Sequence, residues 1–252
     1  MDGQRGFSQS LRRSCLVGLL AIVLTLTACG GTNMPTAQQL IANAQTAIRK
    51  VTSYHFNLVV DHPGTSGLLT IMSADGDILV PDKLKANANV VLLGNAAKVQ
   101  IIAIGAKQYV TDPITGKWQP VTGLFDPRTL SDTQMGVASI LGHIQNPSAP
   151  TDSSVDGVPC WSINGTLDDQ YLAGIASGSP APAGSKVAVT TCIGKADNLP
   201  YLISLNGVAS AGDNAQTVRT FKLSKLSAIS NVSRSFKIGF SFSNAFLGSF
   251  GV

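Results

Sequence analysis

Fourteen acidic residues, three histidines and four cysteines are the groups in this 252-residue chain most able to do chemistry, and every acidic residue is aspartate. His55, His62 and His143 lie far apart. None stands at a zinc-protease spacing, which needs a glutamate in any case. Two aspartate pairs, Asp75/Asp77 and Asp168/Asp169, could act as acid and base. The first pair reads as a glycine turn and the second as the start of a short helix, where capping explains the carboxylates. His55 alternates with Tyr54 and Phe56, as a residue facing solvent or packing on a strand would. Residues 64–67, Gly-Thr-Ser-Gly, have the wrong spacing for a nucleophile elbow. The glycine-rich residues 209–212 lack the Lys-Ser/Thr ending of a phosphate loop. Two N-x-S/T sequons stand at Asn164 and Asn231 and carry no catalytic chemistry. The sequence predicts no catalytic residue, no metal site and no cofactor.

The cysteines carry more. Arg5, Arg12 and Arg13 precede an uncharged apolar run over residues 16–26, and Leu26-Thr27-Ala28 leads into Cys29. A basic start, a short apolar core and a small-residue cleavage site describe a secretory signal, too short to span a bilayer, which takes about 20 residues. Leu-Thr-Ala-Cys resembles a bacterial lipobox, in which the cysteine thiol is diacylglycerylated and the segment before it removed. Residues 1–28 are thus the expected signal peptide and Cys29 the lipid attachment site. Two acyl chains anchor stably where one is marginal, so the expected location is the cell membrane, on its extracytoplasmic side. Cys160 and Cys192 then remain as an even pair in an oxidising compartment. A disulfide, which would add roughly 3–4 kcal/mol of stability, stands beside a two-cysteine metal site as the alternative.

Losing residues 1–28 lowers the net charge from +4 to +2, which gives no nucleic-acid signature. Charged residues make up 13% of the chain and hydrophobic ones 44%, about half the usual charge. Residues 30–35 are small and polar, a tether. A helix is predicted from Thr36, its N-cap, to about Lys50, with Leu40, Ile41, Ala44, Ala47 and Ile48 on one face. Strands are predicted at 54–60, 68–72, 78–80, 84–93, 98–104, 107–111, 117–121, 158–164, 187–193, 201–206, 218–226 and 236–242. Asp132 is placed to cap a helix running to about Ile144, and Asp168-Asp169 another ending near Ser177. The sum is an α+β arrangement of about ten antiparallel strands in one domain over residues 36–252. Around Val90–Leu93 and Ile101–Ile104 the alternation gives way to unbroken apolar runs, which predicts cover on both faces there.

Several phrases occur in a telling order. Val-Thr-Ser-Tyr-His-Phe at 51–56 follows the first helix; Lys-Gln-Tyr-Val-Thr-Asp-Pro-Ile-Thr-Gly-Lys-Trp occupies 107–118; Val-Asp-Gly-Val-Pro-Cys stands at 155–160, and Ile-Gly-Lys-Ala-Asp-Asn-Leu-Pro at 193–200. Behind a lipobox, this series resembles the LppX/LprA/LprF/LprG family of actinobacterial lipoproteins, over about residues 36–230. The resemblance implies a half-barrel similar to LolA and LolB: a strongly curved antiparallel sheet with helices closing its concave side around an apolar cavity. It further implies binding of acyl chains of glycolipids or acylglycerols and their movement towards the outer envelope. The cysteine pair and the Phe/Ser-rich tail after Asn231 depart from that pattern.

Surplus apolar strand residues need something to bury them, and an acyl chain contributes about 0.8 kcal/mol per buried CH2. The expected cavity lining is Leu84, Ala86, Ala88, Val90, Leu92, Val99, Ile101 and Ala103, with Phe56 and Leu58. The alternative is that these residues form a packed core beneath the helices, in an anchored, non-catalytic interaction module of an envelope complex. The expected partners are an acylated lipid or glycolipid, the membrane through the anchor and an envelope lipid transporter, with no nucleic acid and a monomeric protein.

Overall fold

The computed structural model describes residues 34–64, 69–122, 128–131, 136–172 and 181–228. The chain divides into two units, Met1–Pro35 and Thr36–Val252; Cys29 and the signal segment lie outside the described residues. The second unit begins with α1 (Ala37–Ile48). Thr36 caps it: its hydroxyl accepts from the Gln39 amide at 3.3 Å, and the Gln39 side chain accepts from the Thr36 amide at 3.0 Å. This reciprocal box satisfies two donors that a helix start leaves open. Leu40, Ile41, Ala44 and Ile48 form the buried face. The helix stops two residues before the predicted Lys50, because Val51 already pairs with Ala228 in the sheet.

Eleven strands follow among the described residues: β1 (Val51–Asp61), β2 (Leu69–Leu79), β3 (Lys83–Leu92), β4 (Asn95–Ile104), β5 (Lys107–Thr111), β6 (Trp118–Val121), β7 (Thr151–Val155), β8 (Val158–Asp168), β9 (Lys186–Gly194), β10 (Pro200–Asn206) and β11 (Val218–Ala228). They form one antiparallel sheet in the order β6-β5-β4-β3-β2-β1-β11-β10-β9-β8-β7. Two meanders therefore meet where the first strand pairs with the last. At about 4.8 Å per strand such a sheet is about 50 Å across, whereas α1, at 1.5 Å per residue, is about 18 Å long. One helix cannot cover a flat sheet of that width, and the sheet is curved and open.

Since β6 and β7 are the two outer strands, residues 122–150 must cross from one edge to the other. They carry α2 (Arg128–Ser131) and α3 (Val137–Gly142), whose residues from Val137 to Leu141 are all buried. α3 packs on α1, and the Gln45 side chain donates to the Ala138 carbonyl at 3.0 Å. Beyond α3, Gln145 exchanges both backbone hydrogen bonds with Thr166 of β8, at 2.8 and 3.0 Å. Gly165 permits this approach: a Cβ there would stand 2.5 Å from the Ile144 side chain and 2.8 Å from the Gln145 carbonyl.

Several expectations need correction. Residues 68–72 and 78–80 are not two strands: β2 runs unbroken through Asp75-Gly76-Asp77. Gly76 marks a close approach and not a turn, since a Cβ there would lie 2.3 Å from the Lys85 carbonyl and 2.7 Å from the Ala86 Cβ. β7 is a strand beyond those predicted, polar and exposed from Thr151 to Ser154, as suits an edge strand. The helix expected from Asp132 is the shorter α3, with Gly136 at its N-cap; Asp132 lies outside the described residues. After Asp168, which makes no cap bond, there is a single 3-10 turn, Asp169–Tyr171. The rest of that expected helix, residues 173–177, and the expected strand at 236–242 also lie outside the described residues. The unbroken apolar runs are not covered on both faces: Leu93 is 70% exposed at the β3–β4 turn and Ile104 is exposed at the end of β4.

Candidate functional site

Strand alternation gives the sheet two chemically different faces. On the inner face the cross-strand rows of the first meander read Tyr54–Ile78–Leu84–Ala103, Phe56–Gly76–Ala86–Ile101 and Leu58–Ala74–Ala88–Val99. Of the residues expected on this face, Phe56, Leu58, Leu84, Ala86, Ala88, Val90, Val99 and Ala103 are all buried, with exposures between 1% and 8%. They belong to one core cluster with α1 and α3, and Ile101, partly buried, packs against it. Leu92, the last residue of β3, is only half-buried and stands outside that cluster. The second meander continues the surface with Ile163, Leu167, Val187, Val189, Ile203 and Leu205. Side-chain volume differs between the halves: Ala74, Gly76, Ala86, Ala88 and Ala103 make the centre of the first one shallow.

Tyr54 belongs to this inner face but was not singled out from the sequence, although it shares the alternation of Phe56, Leu58 and Val60. Burial pushes its phenol well above the usual tyrosine range. At the other end of the strands Arg219 turns inward beside Val60. It is ion-paired with the buried Asp213, Nη2 to Oδ1 being 2.7 Å, and reaches the Ser210 hydroxyl at 3.0 Å. Asp213 also accepts the amides of Ala209 and Ser210, at 3.1 and 2.8 Å. Both charges are therefore satisfied, by each other and by the β10–β11 loop. Thr217 donates to the His62 carbonyl at 2.8 Å, tying that loop to the end of β1.

The outer face holds the groups that sequence reasoning weighed for chemistry. His55 lies between Asp77 and Asp75, at 2.8 and 3.1 Å. The two carboxylates are thus strand residues bracketing an imidazole, not turn residues. Among the described residues no group of three or more His, Cys or Asp is placed to hold a metal ion. Cys160 and Cys192 form a disulfide, with Cα atoms 5.5 Å apart. It sits in a separate outer cluster with Val155, Tyr201 and Leu202. Tyr201 donates to Asp197 at 2.6 Å, and burial together with that carboxylate pushes its phenol up to about 12. Asp168 accepts from Gln145 at 2.7 Å and pairs with Lys186 at 3.2 Å, which lowers its carboxyl below the ordinary range. His143 stacks on Tyr171 with ring centres 3.6 Å apart and bonds the Ser139 carbonyl at 2.8 Å, closing the end of α3.

Known proteins share this architecture. The crystal structure of LprF from Mycobacterium bovis superposes with a TM-score of 0.57 at 17% identity, covering 75% of this chain and 92% of that one. That of the Mycobacterium tuberculosis lipoprotein LppX gives 0.54 at 19% identity, covering 75% and 94%. In sequence, the M. bovis protein named "Putative diacylated glycolipid transporter LprF" is 23% identical over 182 residues, 62% of this chain and 69% of that protein. LprA of the same organism is 24% identical over 187 residues, 72% and 75%. Residues 36–229 match the LppX_LprAFG lipoprotein family. By that match, which takes in α1 and all eleven strands, the chain belongs to the LppX_LprAFG lipoproteins.

Proposed function

We propose that this protein holds the acyl chains of a lipid or glycolipid between the inner face of its sheet and the helices, and carries them through the cell envelope. The observation that carries this reading is the largely apolar inner face, shallow over β2–β4 where the side chains are alanine and glycine. Leu84, Ala86, Ala88, Val90, Leu92, Val99, Ile101, Ala103, Phe56 and Leu58 would line the site. Sites for such ligands are concave and mostly apolar. The name of the relative, "Putative diacylated glycolipid transporter LprF", supports the same chemistry. In this reading residues 1–28 are removed, Cys29 is lipidated, residues 29–35 form a tether and residues 36–252 form one domain. The mechanism involves no bond chemistry: the chains leave one leaflet, are shielded from water, and are handed on at another, with a transporter of the envelope as partner and the protein acting as a monomer.

The tight burial of the inner-face residues favours a second reading, in which the interior is packed and the anchored domain is an interaction module. Native mass spectrometry with lipid extraction separates the two, on the domain from residue 36 onward made in its own envelope compartment. Stoichiometric acyl lipid retained through purification supports the carrier. An empty protein that also takes up no added lipid excludes it.

A further inference from the structure

A buried tyrosine hydroxyl nearly always has a partner, because leaving it bare forfeits its hydrogen bonds to water. Tyr54 is 6% exposed, yet its hydroxyl makes no hydrogen bond among the described residues. Every fully enclosed side-chain nitrogen or oxygen among those residues does have a partner. The Tyr54 hydroxyl is therefore not fully enclosed. It borders space that a group the size of water can reach.

The surroundings select what could bind there. Across the sheet stands Ile78, and beside it the shallow patch of Gly76 and Ala86. In the same row Gln108 is buried but already engaged. The inward-facing Arg219 lies at the far end of β1 and is neutralised by Asp213. No free cation among these groups would compensate a buried phosphate or carboxylate, whose desolvation is costly. A neutral acceptor attached to hydrocarbon fits better, since it gives up little water and takes the phenol proton. Because burial raises its pKa, the phenol keeps that proton throughout the physiological range.

We infer that Tyr54 is a polar anchor for an ester carbonyl of the bound lipid, its hydroxyl donating to the oxygen where the acyl chain joins the headgroup. This rests on the lipid-binding reading and adds to it: the site selects acyl esters over alkyl ethers and fixes how deep the chain junction sits.

The test uses the full chain, wild type and Tyr54→Phe, anchored in vesicles of diether phosphatidylcholine, which offers no ester. A diacylglycerol and the matching dialkylglycerol ether compete against a fluorescent hydrocarbon. Wild type should prefer the ester by about fivefold, equivalent to about 1 kcal/mol at 1.4 kcal/mol per tenfold. Tyr54→Phe should bind both equally and at the wild-type affinity for the ether. With an isotope-labelled ester, the carbonyl stretch should move to lower frequency in wild type alone. Without lipid, Tyr54→Phe should melt at or above the wild-type temperature, since no partner among the described residues is lost. Equal displacement by ester and ether in wild type overturns the anchor while leaving lipid binding intact. A loss of several degrees in the lipid-free variant overturns it too, by revealing a protein partner. Failure of both lipids to compete overturns the lipid-binding reading and the anchor with it.

Discussion

Replacing both Cys160 and Cys192 by alanine tests whether the outer face carries stability and the inner face the ligand. The two cysteines are 32 residues apart in sequence and join β8 to β9, neighbours that are already zipped by backbone pairing. The bridge therefore acts chiefly on the unfolded chain, whose loop-closure entropy it removes. For a loop of this length that amounts to about 3.7 kcal/mol at 25 °C. A domain of this size loses about 2–4 °C for each kcal/mol, so the double variant should melt about 7–15 °C below wild type. Thermal unfolding followed by circular dichroism measures the shift, and a reductant should reproduce it in wild type without affecting the variant. Because the bridge lies in the Val155–Tyr201–Leu202 cluster, away from the inner face, lipid retained per folded molecule at 25 °C should not change. A melting shift below about 3 °C would refute the entropic argument. Loss of lipid from a variant that is still folded would refute the separation of the two faces.

Four further outcomes follow from the same geometry. Ala88→Phe, which overfills the inner face between Ala74 and Val99, should cost about 1–3 kcal/mol and reduce retained lipid; Asn87→Phe, on the exposed side of the same strand, should do neither in parallel melting and extraction assays. Arg219→Met strands the Asp213 carboxylate and should cost about 3–5 kcal/mol by urea denaturation. The lowered Asp168 pKa contributes stability that is present above the ordinary carboxylate range and is lost as pH falls through the folded value. Lys186→Met, which removes the first cause of that shift, should therefore flatten the acid side of the melting-temperature profile. In a spectrophotometric titration of the folded protein, Tyr201 should ionise only near pH 12, and the Asp197→Asn variant should ionise earlier.

Alternation carried the first meander well. Lys and Asn interleaved with Leu84, Ala86, Ala88 and Val90 leave one reading of which side is wet, and those four residues are buried as expected. Thr36 and Gln39 likewise announce the helix start through capping chemistry that acts within four residues. What failed depends on contacts between distant segments. Gly76 looks like a turn residue until β3 presses against it. Asp75 and Asp77 look like turn carboxylates until β1 brings His55 between them. β7 has no apolar pattern, because an edge strand with both faces wet needs none. The importance of Tyr54 is invisible in sequence, since it rests on a partner that the described residues do not provide.

The order of strands in the sheet also sets an order in time. β1 is the first of the eleven strands to be synthesised, yet one of its edges waits for β11, the last of the eleven, so Asp61 meets Val218 only when the rest of the described sheet has been made. Before then β2–β6 can zip onto β1 as successive hairpins with short loops, whereas the seam is the long-range contact that slows folding. Throughout that interval β1 offers a bare row of amides and carbonyls, a hazard that the finished protein confines to its short edge strands β6 and β7. A chain cut before Val218 would thus not be a smaller version of the protein. It would be two separate pieces, β1–β6 and β7–β10, with β1 unsealed at the seam and prone to pair with another chain.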